Sequence, residues 1–238
     1  MDLIQLHVEW YRLALGRFAV EELGNMAEKP IDIRDKDGMF LFSYEAESLR
    51  GAILTGVRLP NANLEGIDLS RVNLESAFLE RANFEMAILE HANFRNAALD
   101  MANMDSAKLA HADFSGASME GAVLDDSDLS SATLVGADLY WARMFRAKLT
   151  SANLENARLR GCELGEADMR GANFKNANLG RDNVGGSTRL SGADLTGAIL
   201  DGANLAGATY SSSTKFPVGF DPKAHDMSEL GENEDFGQ

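Results

Sequence analysis

A small residue and a large apolar residue recur every five positions from Ala52 to Tyr210, with one residue between them. The stretch contains 32 such units, of which 22 have Leu at the large position and 25 have Ala at the small position. A period of five matches neither the 3.6-residue period of an α-helix nor the two-residue period of a strand. The pattern therefore excludes a long amphipathic helix and a simple array of hairpins.

A chain that turns once in every unit satisfies this pattern. The small and large residues are two apart, so an extended segment places both on the same side. The next small residue follows three positions later and stays on that side only if the chain turns a corner. Ala then occupies a crowded position where a longer side chain would overpack the interior. The sequence predicts a coil of short extended edges that stacks as a parallel β-helix.

The units GADLT at 192–196, GANFK at 171–175 and SANLE at 151–155 resemble the A(D/N)LXX motif of the pentapeptide repeat family. The resemblance covers residues 51–210 and extends to the TKFP ending at 214–217. It implies an all-β solenoid, a right-handed quadrilateral parallel β-helix with four repeats in each coil. Thirty-two repeats would then form about eight coils, and a rod about 38 Å long at a strand spacing of about 4.8 Å.

The flanking segments are predicted to close the ends of this rod, because an open coil exposes its apolar cross-section. Residues 1–50 are expected to form an N-terminal cap, with an α-helix that ends near Gly24 and a hairpin around Asp37 and Gly38. The helix could instead bind a partner or a second copy of the chain. Residues 211–238 are expected to form a C-terminal cap and an acidic, disordered tail.

The repeat contains one irregularity, at residues 182–188. Asp182 falls at an inward small position, Val184 replaces Leu, and one extra residue precedes Thr188. Because an unpaired carboxylate in an apolar coil is costly, we expect Asp182 to turn outward or to be capped by backbone amides. The irregularity is either a bulge or a functional loop.

Composition and charge favour a soluble, cytoplasmic protein without a membrane span. The 238 residues are 45% hydrophobic with a net charge of −15, and no apolar run approaches the length of a membrane helix. Asp2 and Glu9 argue against a signal peptide. The single cysteine, Cys162, lies at a small inward position and is expected to be a buried filler.

The sequence contains no arrangement of residues typical of an active site. It has no glycine loop that would bind phosphate, no cysteine cluster and no nucleophile paired with a histidine. His91 and His111 are one predicted coil apart and should stack, but no third ligand lies in their column. We therefore predict a protein that is not an enzyme and that has no cofactor and no metal site.

The face that contains Leu64 has an acidic outer column in the four-repeat arrangement. Its carboxylates lie beside stacked amides at Asn63, Asn83 and Asn103. Like charges at this spacing repel by about 1 kcal/mol per neighbour in water, which a bound cationic partner would relieve. The candidate partner-binding residues in this column are Glu65, Glu85, Asp105, Asp125 and Asp126.

A second candidate surface combines aromatic and cationic residues, the usual composition of an interface anchor. All of its residues are predicted to point outward at one corner of the rod, unless a loop or the N-terminal segment covers them. A weaker apolar group at Phe78, Met86, Ile88 and Met101 could lie under the N-terminal helix. The residues of the aromatic corner are Tyr140, Trp141, Arg143, Phe145 and Arg146.

Two functions compete on this evidence. The first is a rigid, non-catalytic scaffold that binds a protein partner through exposed columns of the β-helix. The second is a DNA mimic that binds a topoisomerase such as gyrase, as the family resemblance and the acidic rod suggest. Direct binding of nucleic acid is not expected from so acidic a chain. A homodimer could form through the N-terminal helix or through Tyr140, Trp141 and Phe145.

Overall fold

The computed structural model describes residues 30–230 of the 238. The helix predicted within residues 1–24 and the end of the acidic tail lie outside the described residues. Between them the chain winds as a four-sided solenoid, because parallel bridges join residues that are 20 positions apart, such as Ile53 to Asn73 and Asn63 to Asn83. Four five-residue units therefore complete each coil. We number the faces by their first central residue: face 1 begins at Leu54, face 2 at Leu59, face 3 at Leu64 and face 4 at Leu69.

Each unit repeats the same backbone hydrogen bonds. The central residue donates its N–H to the coil above, as Leu54 does to the carbonyl of Asn73 at 2.7 Å. The residue before it donates downward, as Asn73 does to the carbonyl of Ala52 at 2.8 Å. A tight turn then closes the corner, where Ala77 N–H reaches the carbonyl of Leu74 at 3.0 Å. The edges of each coil that has a neighbour on both sides are thus paired with those neighbours.

The corners require the left-handed backbone conformation. In nearly every unit the second residue after the centre has a positive φ, supplied by Gly at positions such as Gly66 and Gly161 but also by Trp141 at +57° and Arg146 at +55°. This conformation is unfavourable for residues with a Cβ and persists where the surrounding structure enforces it. The ladder bonds on both sides of each corner provide that enforcement.

The core is a stack of buried Ala and Leu positions with a column of aromatic rings inside face 1. Phe94 and Phe114 stack with centroids 4.9 Å apart, and Phe84 meets Phe94 edge-on at 5.8 Å. Cys162 is fully buried at a small position and its thiol donates to the carbonyl of Leu139. Burial raises the pKa of this thiol far above its ordinary value, so Cys162 is an inert filler.

Short elements lie at both ends of the solenoid. Strands β1, Ile31–Arg34, and β2, Phe40–Tyr44, form an antiparallel hairpin that joins the first coil where Asn63 N–H donates to the carbonyl of Arg34. At the other end β3, Thr209–Tyr210, pairs in parallel with β4, Ser228–Glu229, after a 3-10 turn at Lys223–His225. Within residues 30–230 no helix is long and apolar enough to cross a membrane.

The prediction that Val184 is a central residue of the repeat is wrong. Glu163 bridges Arg189, a step of 26 residues instead of 20, so one unit and one extra residue leave the coil. Val184 is 76% exposed, and the fully buried Thr188 occupies the next small position. Thr188 fits there because its hydroxyl donates to the carbonyl of Leu159 at 2.8 Å. Residues 182–187 form a loop outside the solenoid, which we call the 182–187 loop.

Candidate partner-binding surface

The acidic column on face 3 is built on a ladder of asparagine amides. Each amide donates both to the Asn one coil below and to a carboxylate, so Asn83 reaches Asn63 at 3.2 Å and Glu65 at 3.2 Å. Asn103 repeats the arrangement with Asn83 at 3.1 Å and Glu85 at 3.2 Å. These N–H donors lie between successive carboxylates and reduce the repulsion that the sequence alone implied.

The same column changes character at Asp125. Its carboxylate is 7% exposed, accepts the backbone N–H of Phe145 at 2.9 Å and forms an ion pair with Arg143. Arg143 occupies the position that Asn83 and Asn103 hold lower on this face, so a cation replaces a neutral donor. Among the described residues, the carboxylates of this column that form no ion pair are therefore Glu65, Glu85 and Asp105.

A second ion pair joins the acidic column to the aromatic corner. Arg146 donates to both oxygens of Asp126, at 2.7 and 2.5 Å, and its guanidinium lies 4.7 Å from the centroid of the Phe145 ring. The hydrogen bonds from Arg146 hold the pKa of Asp126 below its ordinary value. The two candidate surfaces of the sequence analysis are thus contiguous, since Asp125 and Asp126 contact residues of the corner.

Trp141 connects the corner to the 182–187 loop. Its indole N–H donates to the Asp182 carboxylate at 2.6 Å, and the Tyr140 hydroxyl lies 3.3 Å from the same oxygen. The other oxygen accepts the backbone N–H groups of Val184 at 2.9 Å and Gly186 at 2.6 Å. Burial alone would raise the pKa of Asp182, but these four donors together lower it. Asp182 has thus left the inward position, which Thr188 fills, and it is capped by donors, two of them backbone amides, that leave it 6% exposed.

The Trp141 ring remains available although its N–H is bonded. The side chain is 51% exposed and leans across Gly161, where a Cβ would lie only 2.5 Å from the indole. Gly161 thus makes space for a tryptophan that spans from its own coil to the loop. The sequence allowed for a loop that covers the aromatic corner, and the 182–187 loop covers it only in part. Asp182 binds one edge of the Trp141 ring and leaves the face of that ring accessible.

Phe145 borders a cavity of about 770 Å³ between the loop and the last coils of face 3. The Phe145 ring is half-buried against Gly165, and an ion pair of Glu163 with Arg189 at 2.7 Å lies in the same wall. Burial raises the pKa of Glu163 despite this arginine. The Thr209 hydroxyl also faces this region and has no hydrogen-bond partner among residues 30–230.

His91 and His111 stack as the column arrangement predicted, with ring centroids 4.8 Å apart and planes within 7° of parallel. The nitrogen lone pairs lie in these planes, so those of the two rings cannot converge on one ion. Among the residues that the structure describes, no group of three or more His, Cys, Asp or Glu side chains could hold a metal.

The apolar group near the N-terminal end is split between two corners. Phe78 and Met101 line a cavity of about 470 Å³, where Arg58 stacks on the Phe78 ring at 4.2 Å. Met86 is exposed on the neighbouring corner, and Ile88 lies on face 4. Whether residues 1–24 lie over this group is a prediction that falls outside the described residues.

Sequence reasoning missed the contact between Trp141 and Asp182. A signal was present, because Trp141 and Gly161 share one corner column and position 181 is the next in that series. A large aromatic followed one coil later by glycine indicates that the side chain leans upward. The loop that meets it begins one residue after that position.

Comparisons with known proteins agree with this architecture. A family model for pentapeptide repeats matches eight copies, over residues 48–85, 67–105, 87–126, 107–144, 147–181 and 188–209. The longer of the two gaps between these matches, residues 182–187, coincides with the 182–187 loop. Comparison with curated protein sequences gave no match.

Several solved structures are similar to the chain. HetL, a pentapeptide repeat protein involved in heterocyst differentiation regulation in the cyanobacterium Nostoc sp. strain PCC 7120, is 29% identical with a TM-score of 0.51, over 75% of this chain and 87% of HetL. QnrB1, a plasmid-mediated fluoroquinolone resistance protein, is 17% identical with a TM-score of 0.49, over 78% and 92%. The protein alr5209, also from Nostoc, is 24% identical with a TM-score of 0.29, over 62% and 84%. Repeats, coil geometry and family model agree, and the chain belongs to the pentapeptide repeat family.

Proposed function

We propose that this protein is a non-catalytic scaffold that binds a protein partner through the corner of Trp141, Phe145 and Arg146. The observation that carries this proposal is the state of Trp141, whose ring is half-exposed while its indole N–H is fixed on Asp182. A partner would meet an aromatic ring that is already ordered, so little side-chain entropy is lost on binding. Trp and Arg are also the residues most enriched at the energetic centres of interfaces.

The charges around this corner suit a mixed, polar interface. Arg146 and Arg143 neutralise the end of the acidic column, and Glu166 beyond them is exposed. Acidic and cationic groups therefore alternate along the rod next to the exposed aromatic ring. We expect such a pattern to set the register and orientation of a partner more than its affinity. A cytoplasmic location remains a prediction from the sequence.

The test is capture of partners by full-length protein carrying single substitutions. Trp141→Ala should abolish capture of a specific protein from the source lysate, and Arg146→Glu should weaken it without disturbing the bond between Trp141 and Asp182. Val184→Ala is the matched control, since Val184 is exposed and apolar but lies outside the corner. A partner retained by both corner variants would remove this surface from consideration.

The alternative function, mimicry of DNA toward a topoisomerase such as gyrase, rests on a smaller surface than the sequence suggested. Glu65, Glu85 and Asp105 remain as an acidic column, whereas Asp125 and Asp126 are neutralised by arginines. If mimicry is the function, micromolar protein should alter gyrase supercoiling, and Lys substitutions at the three uncompensated carboxylates should abolish the effect. Supercoiling unchanged by the unmodified protein would eliminate this alternative.

A further inference from the structure

The last coil of the solenoid pairs with a further strand or bridge on only two of its four faces. On face 4 Asp194 bridges Lys215, and on face 3 strand β3 pairs in parallel with β4. On faces 1 and 2 Ile199 and Asn204 bridge only the coil beneath them. Within residues 30–230 no bridge joins the upper edge of these two faces. On face 2, however, Leu205 is 1% exposed and the Gly207 N–H donates to the carbonyl of Asp226 at 2.9 Å, so only the edge of face 1 is open.

The exposed edge offers the hydrogen-bonding groups that every lower coil uses. Beneath it, Phe174 donates its N–H to the carbonyl of Ile199 at 2.8 Å, and Ile199 donates to the carbonyl of Ala172 at 2.9 Å. The equivalent groups one coil higher are the N–H of Leu200 and the carbonyl of Ala198. Neither has a backbone partner in the described part of the chain. This is a free donor and a free acceptor at the spacing of a parallel strand.

An apolar surface accompanies the free edge. Leu200 is only partly buried, whereas Phe174 and the other central residues beneath it are completely buried. A cavity of about 530 Å³ next to Leu200 is lined in part by Pro217, Val218 and Phe220, and Val218 is fully exposed. A segment on this edge would bury apolar surface as well as form backbone hydrogen bonds.

We propose that the edge formed by residues 198–200 binds an extended segment of a protein partner, which adds a parallel strand to face 1. Only an extended backbone carries a donor and an acceptor at the spacing of Leu200 N–H and Ala198 C=O. Continuing the solenoid's own stacking requires a small residue above Ala198 and a large apolar residue above Leu200. Lys215 and β4 already pair in this way on faces 4 and 3.

This inference deepens the proposed scaffold function, on which it rests, but uses a surface remote from Trp141. The two can therefore fail separately. If no strand adds to the edge, Trp141→Ala should still reduce partner capture. If Trp141→Ala has no effect on partner capture, the edge can still bind a strand. The partner is defined by chemistry as an extended polypeptide with the pattern small, polar, apolar.

The probe is a fluorescein-labelled peptide of sequence GANFKNANLG, which is residues 171–180 of this chain. In the rod its first five residues lie on face 1, one coil below the proposed edge. Its anisotropy is measured against full-length protein, and saturable binding is expected. The matched control is the same peptide with an N-methyl group on the residue equivalent to Asn173, which would donate to Ala198. We expect binding at least about tenfold weaker, as for loss of one hydrogen bond with an acceptor left unpaired.

Two protein variants complete the test. Val218→Glu should weaken peptide binding by about tenfold without affecting folding, because the Val218 side chain is fully exposed. Leu200→Asp should weaken it further, with circular dichroism as the check on folding. Val184→Glu, the control on the loop, should bind like the unmodified protein. The proposal is overturned if the peptide does not bind, if the N-methylated peptide binds equally well, or if binding occurs only after residues 231–238 are removed.

Discussion

The lower and upper halves of face 3 differ in their outer residues while sharing one kind of core. In the lower half, the coils from Asn63 to Asn103 carry amides and uncompensated carboxylates in regular columns. In the upper half, the coils from Arg143 onward carry ion pairs, an exposed Trp and a loop. The inward Ala and large apolar positions remain buried in both halves. The comparison shows that the fold constrains two residues in five and leaves the outward positions free to acquire a binding surface.

The largest effect tests whether the core is equally well packed in the lower and upper halves of the solenoid. Phe94→Ala and Phe174→Ala each remove a fully buried ring and should cost about 3–5 kcal/mol in the free energy of unfolding. Phe94 should be the more costly, because it also stacks on Phe114. Urea unfolding followed by circular dichroism gives both values. A cost below about 1 kcal/mol at either position would contradict an equivalent, closely packed core.

A glycine pair tests the special role of the upper half. Gly66 and Gly161 both have a positive φ, but a Cβ at Gly66 meets nothing within 4 Å, whereas at Gly161 it meets Trp141. Gly66→Ala should cost about 1 kcal/mol for backbone strain. Gly161→Ala should cost more and should also change Trp141 fluorescence. Equal costs with unchanged fluorescence would show that the position of the Trp141 ring does not depend on the absence of a side chain at Gly161.

The amide ladder of the lower half can be tested by one substitution. Asn103→Asp replaces a donor with a carboxylate next to Glu85, so it should destabilise the protein by about 1 kcal/mol at low ionic strength. Salt should reduce this cost by screening. Asn178→Asp, whose bridge partners are Arg158 and Asn204 instead of acidic residues, is a control whose cost salt should not reduce. A cost that is independent of salt would argue against repulsion between carboxylates.

The smallest effect concerns acid stability. Hydrogen bonds from Thr196 and the nearby Lys215 lower the pKa of Asp194 to about 2. A lowered folded-state pKa contributes stability that is complete above the unfolded value, near 3.8, and is lost as the pH falls toward 2. Asp194→Asn should therefore cost about 0.2–1 kcal/mol at pH 7, the range for exposed ion pairs, and much less at pH 2, where the carboxylate is only about half ionised. Melting curves at both pH values measure the difference; a constant difference would refute the linkage.

The repeat period predicted the inward positions well, because burial and tight turns act on every unit in the same way. It did not predict the departure at Val184. Counting repeats cannot show whether an additional unit lies in the coil or forms a loop outside it. Here Glu163 bridges Arg189, so the unit that contains Val184 lies outside the coil. The favourable burial of Thr188 and the capping of Asp182 depend on contacts between distant coils.

The candidate surfaces were harder to predict than the core. Residues 20 apart were correctly expected to stack, as His91 and His111 show. The ion pair of Arg143 with Asp125 was not anticipated, because it depends on how far each side chain leans toward the neighbouring coil. The open edge at Leu200 was also hidden, since it depends on which faces the end segments cover.

The burial of Cys162 has a practical consequence. The only thiol in the chain is fully enclosed and its pKa is raised, so it should not react with maleimides in the folded protein. Cysteines introduced at outward positions of one column would then be labelled selectively. Because each coil adds about 4.8 Å, pairs of probes would be separated by multiples of one small step. The rod could thus serve as a molecular ruler for distance measurements by spectroscopy.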